Sequence, residues 1–304
     1  MAKYLKKFDS HTNYETYIDG DDAILPNVSI CVNNNHVHYN PFEEKRLVAI
    51  FDISSTQYAT VIIDEYNTSP VKELEIDGVI QDDVFDTYVF PTLGEHVIKY
   101  TLYDIKDIED AILHGCDDIT SIYIPNGVEI IENSHFFYGI SKLQNIYFPK
   151  SIRLINGLDG GYFIHSNNFS NITVDATNTV FDSRNNCNAL IDTASNTLII
   201  GTLNTIIPNT ITSIGNSAFS YRGITSMTIP DSVEYIASYA FLGCTALTSV
   251  TVLATVPPSI EEEADVFKNT NNCPIYVPAE SVNAYKTATG WSDYAERIQA
   301  IQTT

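Results

Sequence analysis

Four aspartates, Asp159, Asp175, Asp182 and Asp192, fall between Pro149 and Pro208. Two carboxylates held ~5 to 10 Å apart across a cleft can hydrolyse a glycosidic bond, one as acid and one as base or nucleophile. Here each stands in a turn-like context of Gly, Asn and Ser, where a carboxylate more often closes a turn. His36 and His38 alternate in "NNNHVHYN" and on a strand would face one ion, but no third ligand stands near them, and a polar, solvent-facing strand is the competing reading. His11, His96, His114, His135 and His165 are scattered singly and read as surface or capping residues. The acidic runs "DGDDA" (Asp19–Ala23), "DIKDIED" (Asp104–Asp110) and "EEEAD" (Glu261–Asp265) lack the spacing of an EF-hand, because Ala23 stands at the fifth position when Asp19 is the first. Five widely spaced cysteines without C-x-x-C read as reduced, buried thiols, with Cys244 packed in the core. No G-x-S-x-G, G-x-x-x-x-G-K-[ST], G-x-G-x-x-G or H-E-x-x-H occurs. The expectation is a protein with no catalytic residues, no metal and no cofactor.

The charge balance excludes partners as well. With 16 basic against 38 acidic residues, a net charge of −22 repels phosphate backbones and anionic headgroups, so no nucleic-acid partner is expected. No window approaches ~18 uninterrupted apolar residues, so no membrane span is expected. "MAKYLKKFDS" carries positive charge without the apolar stretch of a signal peptide, which predicts synthesis in a bacterial cytoplasm without general secretion.

What positions the side chains is a repeat. Pro125, Pro149, Pro208 and Pro230 are each followed three residues later by Val128, Ile152, Ile211 or Val233, and six later by Ile131, Ile155, Ile214 or Ile236. Eleven residues after three of them stands Phe136, Phe219 or Phe241, while Gly160 breaks the rule. Upstream lies an L-x-x-L-x-L core: Ile119/Ile122/Ile124, Leu143/Ile146/Phe148, Ile224/Met227/Ile229 and Leu247/Val250/Val252. A step of 22 to 24 residues predicts a solenoid in which a strand ends at proline, Val-x-x-Ile turns to the opposite wall and phenylalanine fills the space between coils. On each strand the middle residue of the pair faces outward: Tyr123, Tyr147, Thr228 and Thr251, with Ser121, Asn145, Ser226 and Ser249 two positions earlier. Such an uncharged ladder suits binding of protein or sugar, and it also describes plain strand propensity.

The segments "SMTIPDSVEYIASYAFLGCTALTSV" and "ITSIYIPNGVEIIENSHFF" resemble the BspA-type leucine-rich repeats, from about Asp104 to the C-terminus. "CPIYVPAESVNAYKTATGWSDYAERIQAI" is similar to that family's closing segment, which implies a last strand and a capping helix carrying Tyr285, Trp291 and Tyr294. Between Pro149 and Pro208 the pattern departs, and "NALIDTASNTLII" predicts an inserted hairpin.

Ahead of the repeats the period is two. "RLVAIFDI", "YATVIIDE", "VKELEIDGV", "DTYVFPT" and "HVIKYTLY" predict five strands of a small antiparallel sandwich, with a hairpin turn at "PTLGEHV". It resembles the immunoglobulin-like module of related proteins with fewer strands than usual. In residues 1–41, "DSHTNYETYIDG" predicts a helix capped by Asp9 or Ser10, with Tyr14, Tyr17 and Ile18 as an anchoring stripe, before two strands around an Asn-rich turn. "LPNVSICVNNNHVHYNP" resembles leaders of structural proteins of phages and mobile elements of gut Bacteroidales.

The expected fold is therefore mainly β. It comprises a helix/hairpin docking segment (1–41), an Ig-like β-sandwich (42–105) and a repeat solenoid with a capping helix (106–304). The expected function is non-enzymatic binding of a protein or glycan receptor, as a phage virion appendage docked to other structural proteins through its leader. The alternative is a BspA-like adhesin on a bacterial cell surface. By analogy with fibres and spikes, a homo-oligomer, a trimer, is expected.

Overall fold

A computed structural model describes residues 46–54, 59–61, 70–108, 112–132, 134–137, 139–156, 166–260 and 264–302, and the backbone of four strands at 3–5, 14–18, 24–32 and 35–39. By compactness the chain forms two units: Met1–Leu154 with Asp175–Asn178, and Ile155–Val174 with Thr179–Thr304.

In the first unit β1 (Lys3–Leu5), β2 (Tyr14–Ile18), β3 (Ile24–Val32) and β4 (Asn35–Tyr39) pair antiparallel in that order. The helix expected across Tyr14, Tyr17 and Ile18 is thus a strand. Four of its five residues are aromatic or β-branched, and β1 and β3 offer ladder partners on both edges, which outweighs a local cap signal. Asp9 and Ser10 lie outside the described residues.

The period-two region supplies β5 (Leu47–Ile53), β6 (Ala59–Thr60), β7 (Val71–Ile76), β8 (Val79–Ile80), β9 (Thr87–Tyr88) and β10 (Gly94–Leu102). β10 lies antiparallel between β5 and β7, β8 folds back on β7, and β6 pairs with β9 as a separate small sheet. "PTLGEHV" therefore carries the chain from one sheet to another and closes no hairpin. His96, expected at the surface, is buried at this crossing. Its Nδ1 lies 2.6 Å from Asp77 Oδ2 and its Nε2 lies 2.9 Å from the Thr92 carbonyl, while Val97 N donates to Asp77 Oδ1 at 2.9 Å. The imidazole thus ties the β7–β8 turn to the crossing segment.

The repeats begin with β11 (Asp107–Ile108), β12 (Ile119–Tyr123), β13 (Ile130–Ile131) and β14 (Asn145–Phe148), with β11 parallel to β13 and β12 parallel to β14. The free edge of β12 is taken by β5, antiparallel, with Ile119 opposite Phe51 and Tyr123 opposite Val48. One sheet thus runs β14-β12-β5-β10-β7-β8, and the change of period near residue 105 falls inside it. An unpaired parallel edge would invite another chain, and β5 stops it.

After β15 (Leu154–Ile155), the second unit contains β16 (Asn171–Val174), β17 (Phe181–Asp182), β18 (Ala189–Asp192), β19 (Thr197–Gly201), β20 (Ser213–Ile214), β21 (Ser226–Ile229), β22 (Tyr235–Ile236), β23 (Ser249–Val252) and β24 (Ile275–Val277). The inserted hairpin is present as β18 and β19, with Ala189 opposite Gly201 and Asp192 opposite Thr197. On its far side β20 and β22 add in parallel, making one wall. The other wall is β21-β23-β24, parallel, closed by β25 (Ile298–Ala300). A short helix, α1 (Val282–Thr287), separates β24 from β25. The expected last strand and capping helix are thus present as β24 and α1, which carries Tyr285, while Trp291 and Tyr294 fall after the helix; the further strand β25 follows because Ile298 aligns with Ile275 and Val250 in the buried row and gives β24 an edge partner.

All eight residues at the third and sixth positions after proline are buried, as are all twelve of the L-x-x-L-x-L positions. Between coils of the second unit the rings of Phe219, Phe241 and Phe267 lie in a column, centroids 5.0 and 5.2 Å apart and interplanar angles of 2° and 12°, ending on Trp291 at 6.0 Å. At the start of the column Phe219 presses on Gly201, where a Cβ would sit 2.0 Å from the ring. Gly201→Ala is expected to destabilise the protein by roughly 1–3 kcal/mol, because a ring stacked on Phe241 has nowhere to move. Urea unfolding checks this, with Phe219→Leu in the same chain restoring part of the loss.

On the face of the first unit's sheet, Glu75 lies 2.6 Å from Arg46 and 3.2 Å from Lys99. Burial raises its carboxyl, but hydrogen bonds and charge from Arg46 and Lys99 outweigh that and hold it below its usual 4.5. A depressed folded-state value gives stability present above the unfolded value and lost as pH falls through the folded one. Glu75→Gln is expected to cost roughly 1 kcal/mol at neutral pH, discounted for partial exposure. The difference from the parent should vanish in urea melts in acid, below the folded value.

Candidate binding face

Strand register places four of the ladder residues side by side. In the second unit Ser226 aligns with Ser249, and Thr228 with Thr251, on adjacent parallel strands. The row through Thr251 continues to Tyr276 on β24 and Gln299 on β25. Ser226, Thr228 and Gln299 are exposed, and Ser249, Thr251 and Tyr276 half-buried, while their neighbours in the alternate positions face the core. Adjacent rungs lie about 4.8 Å apart, so this wall presents evenly spaced hydroxyl and amide groups without charge. Thr248 Oγ1 donates to the Thr225 carbonyl at 2.8 Å and fastens two coils where the ladder begins. Sequence reasoning missed Tyr276 and Gln299. The alternation of Ile275, Tyr276 and Val277 marked the first, whereas the second was hidden in a segment read as helix.

The corresponding rungs of the first unit are in register, Ser121 with Asn145 and Tyr123 with Tyr147, but they are not displayed. Ser121, Tyr123 and Tyr147 are buried and Asn145 is half-buried. All five residues of β12 and the first five of β5 are buried, so both faces of this part of the sheet are covered. Asn145 Nδ2 donates to Ser121 Oγ at 3.0 Å, and the Tyr147 hydroxyl to Asp175 at 3.2 Å. Burial, and then the Asp175 charge, pushes the Tyr147 hydroxyl well above its usual range. The turn at Asp175–Asn178 also holds the second coil through Asn178 Nδ2, which donates to the carbonyls of Pro149 and Ile152 at 2.8 and 3.0 Å. The expectation of an outward ladder at these four positions is corrected. Tyr14, Tyr17 and Ile18 lie on β2, and their side chains are outside the described residues, as are those of His36 and His38 on β4.

The carboxylates close turns. Asp175 accepts from Thr177 N at 2.8 Å, Asp182 from Arg184 Nε at 2.9 Å and Asp192 from Ser195 N at 2.8 Å; Asp159 is outside the described residues. The four described thiols, Cys116, Cys187, Cys244 and Cys273, are buried, and burial pushes Cys244 up to about 12, away from nucleophilic use. Its Sγ donates to the Phe219 carbonyl at 3.0 Å. One coil earlier the same position holds Arg222, whose Nε donates to the Gly201 carbonyl at 3.2 Å and whose guanidinium lies 5.4 Å over the Phe169 ring. Burial lowers it to about 10, which marks a packed structural cation. Among the described residues no group of three His, Cys, Asp or Glu is placed to hold a metal ion, and no helix is long and apolar enough to cross a membrane.

Solved structures similar to the chain include three crystal structures. One is a leucine-rich repeat protein from Eubacterium ventriosum, 21% identical with a TM-score of 0.35, the match covering 52% of this chain and 48% of that one. A leucine rich cell surface protein from Faecalibacterium prausnitzii is 17% identical with a TM-score of 0.36, covering 62% and 61%. The pneumococcal vaccine antigen PcpA is 14% identical with a TM-score of 0.28, covering 58% and 60%. The chain thus spans about half to three fifths of those structures. No curated protein matches it. The sequence profile of the BspA type leucine rich repeat region matches residues 84–192 and 199–288 in 6 copies. With more than half of its length inside that match, its proline-anchored coils and its buried Val-x-x-Ile turns, this chain belongs to the BspA-type leucine-rich repeat family.

Proposed function

We propose that the protein is a non-enzymatic binding protein whose second unit docks a protein or glycan through the wall of Ser226, Thr228, Ser249, Thr251, Tyr276 and Gln299. The observation that supports this reading is the uncharged, in-register ladder on a chain of net charge −22. Hydroxyls and one phenol at fixed spacing suit hydrogen bonding to sugar hydroxyls or to peptide groups, and a rigid parallel sheet costs little ordering on binding. The described carboxylates of the insert, Asp175, Asp182 and Asp192, are engaged in turns, which supports binding over hydrolysis.

The setting we propose is a bacterial cell surface, as an adhesin of the BspA type, in keeping with the family. A phage appendage is the second reading. It rests on the resemblance of "LPNVSICVNNNHVHYNP" to phage leaders, with residues 1–41, including Tyr14, Tyr17 and Ile18, docking to other virion proteins. Immunogold labelling of intact cells and of purified phage particles separates the two.

The binding reading is tested on glycan and matrix-protein arrays with the full chain. Thr251→Arg and Tyr276→Ala are expected to weaken the strongest hit at least about tenfold, since each removes a group at the centre of the wall. An affinity unchanged by both substitutions would show that this wall is not the binding surface.

A further inference from the structure

Beside the turns that follow β21 and β23 lies a groove of about 390 Å³, lined on one coil by Asp231, Val233 and Glu234 and on the next by residues 253–259. Its origin is in the sequence. Where one coil runs Pro230-Asp231-Ser232-Val233, the next reads Leu253-Ala254-Thr255-Val256-Pro257-Pro258. The two coils are fastened at both ends of this stretch: Leu253 N donates to the Ile229 carbonyl at 2.9 Å, and Ser259 N to the Glu234 carbonyl at 2.8 Å. Between those points Pro257 and Pro258 have no N–H to donate to the neighbouring coil, and the groove lies along this stretch.

The loop is fixed from its other side by the cap. Ser281 Oγ donates to the Thr255 carbonyl at 2.7 Å, the Tyr285 hydroxyl to Ala254 at 2.8 Å and Trp291 Nε1 to Pro258 at 2.7 Å. With those carbonyls taken by the cap, the loop leaves apolar side chains uncovered: Val256 is 76% and Leu253 42% exposed. Two exposed carboxylates, Asp231 and Glu234, stand on the facing coil.

We infer that this groove binds a short segment of a partner protein in which an apolar side chain stands beside a lysine or arginine. The apolar group covers Leu253 and Val256, and the cation meets Asp231 and Glu234, with the field of a chain of net charge −22 favouring the approach of a basic segment. The volume lies at the small end of the ~300–1,000 Å³ of ligand sites, which fits a few side chains and no folded surface. This site goes beyond the ladder and is distinct from it, since none of the six ladder residues lines the groove.

The test uses the full chain and fluorescently labelled short peptides of defined sequence with a central Leu-Lys or Leu-Arg pair, against Leu-Glu and Ser-Lys counterparts. Leu-Lys and Leu-Arg peptides are expected to bind saturably, to weaken with added salt, and to lose about tenfold in affinity with Val256→Ser or with Asp231→Asn and Glu234→Gln together. All three changes are at exposed positions, and unchanged thermal melts check that the fold is kept. Equal binding of the Leu-Glu or Ser-Lys peptides, no binding of any peptide, or binding unaffected by the substitutions overturns the proposal. A concentration-dependent sedimentation coefficient that Val256→Ser abolishes overturns it in favour of a second copy as the occupant.

Discussion

A single coil with two short strands encloses nothing, and its apolar residues are covered only by the coils on either side. In the second unit that dependence is visible in the column from Phe219 through Phe241 and Phe267 to Trp291, where Phe241 is stacked between the rings of the coils before and after it and Trp291 closes the end at a tilt. Burial of such surface at about 25 cal/mol per Å² is the main favourable term of the fold, and stacking is the means by which a chain with so little regular structure gains it. The column also explains Gly201: the coil that precedes Phe219 contributes no ring, and the space is closed by backbone.

Stacking leaves ends. In the first unit β5 runs antiparallel along β12 and converts a parallel edge into the middle of a mixed sheet. In the second unit β24 is followed by α1 and then by β25, whose Ile298 continues the buried row. Trp291 ends the column with Tyr285 packed edge-on against it, and both donate to carbonyls of the preceding coil's loop. The shape of the groove at Val256 is thus a consequence of how the stack is terminated.

Function follows from which faces the stack leaves uncovered. A parallel wall must alternate inward and outward residues, so one set of side chains is always shown unless something covers it. In the first unit both faces of β12 are covered, and Tyr123 and Tyr147 are 9% and 4% exposed. In the second unit the same rows stay accessible and are extended by Tyr276 and Gln299.

The sequence by itself determined the coil. Proline, Val-x-x-Ile and phenylalanine at fixed offsets state which residues are buried, because a repeated local pattern carries its own register and needs no distant information. The hairpin in "NALIDTASNTLII" was legible for the same reason, being local. Only the tertiary structure decided what lies across from what: that Tyr14–Ile18 pairs as a strand, that β5 joins the repeat sheet, that Ser121, Tyr123 and Tyr147 are covered, and that the segment after Trp291 ends as β25. The strand at Tyr14–Ile18 depends on edges offered by its neighbours β1 and β3, and the others depend on an edge or a face supplied by residues farther away in the chain. Pairing across such separations outweighs the tenths of a kcal/mol by which local propensities differ.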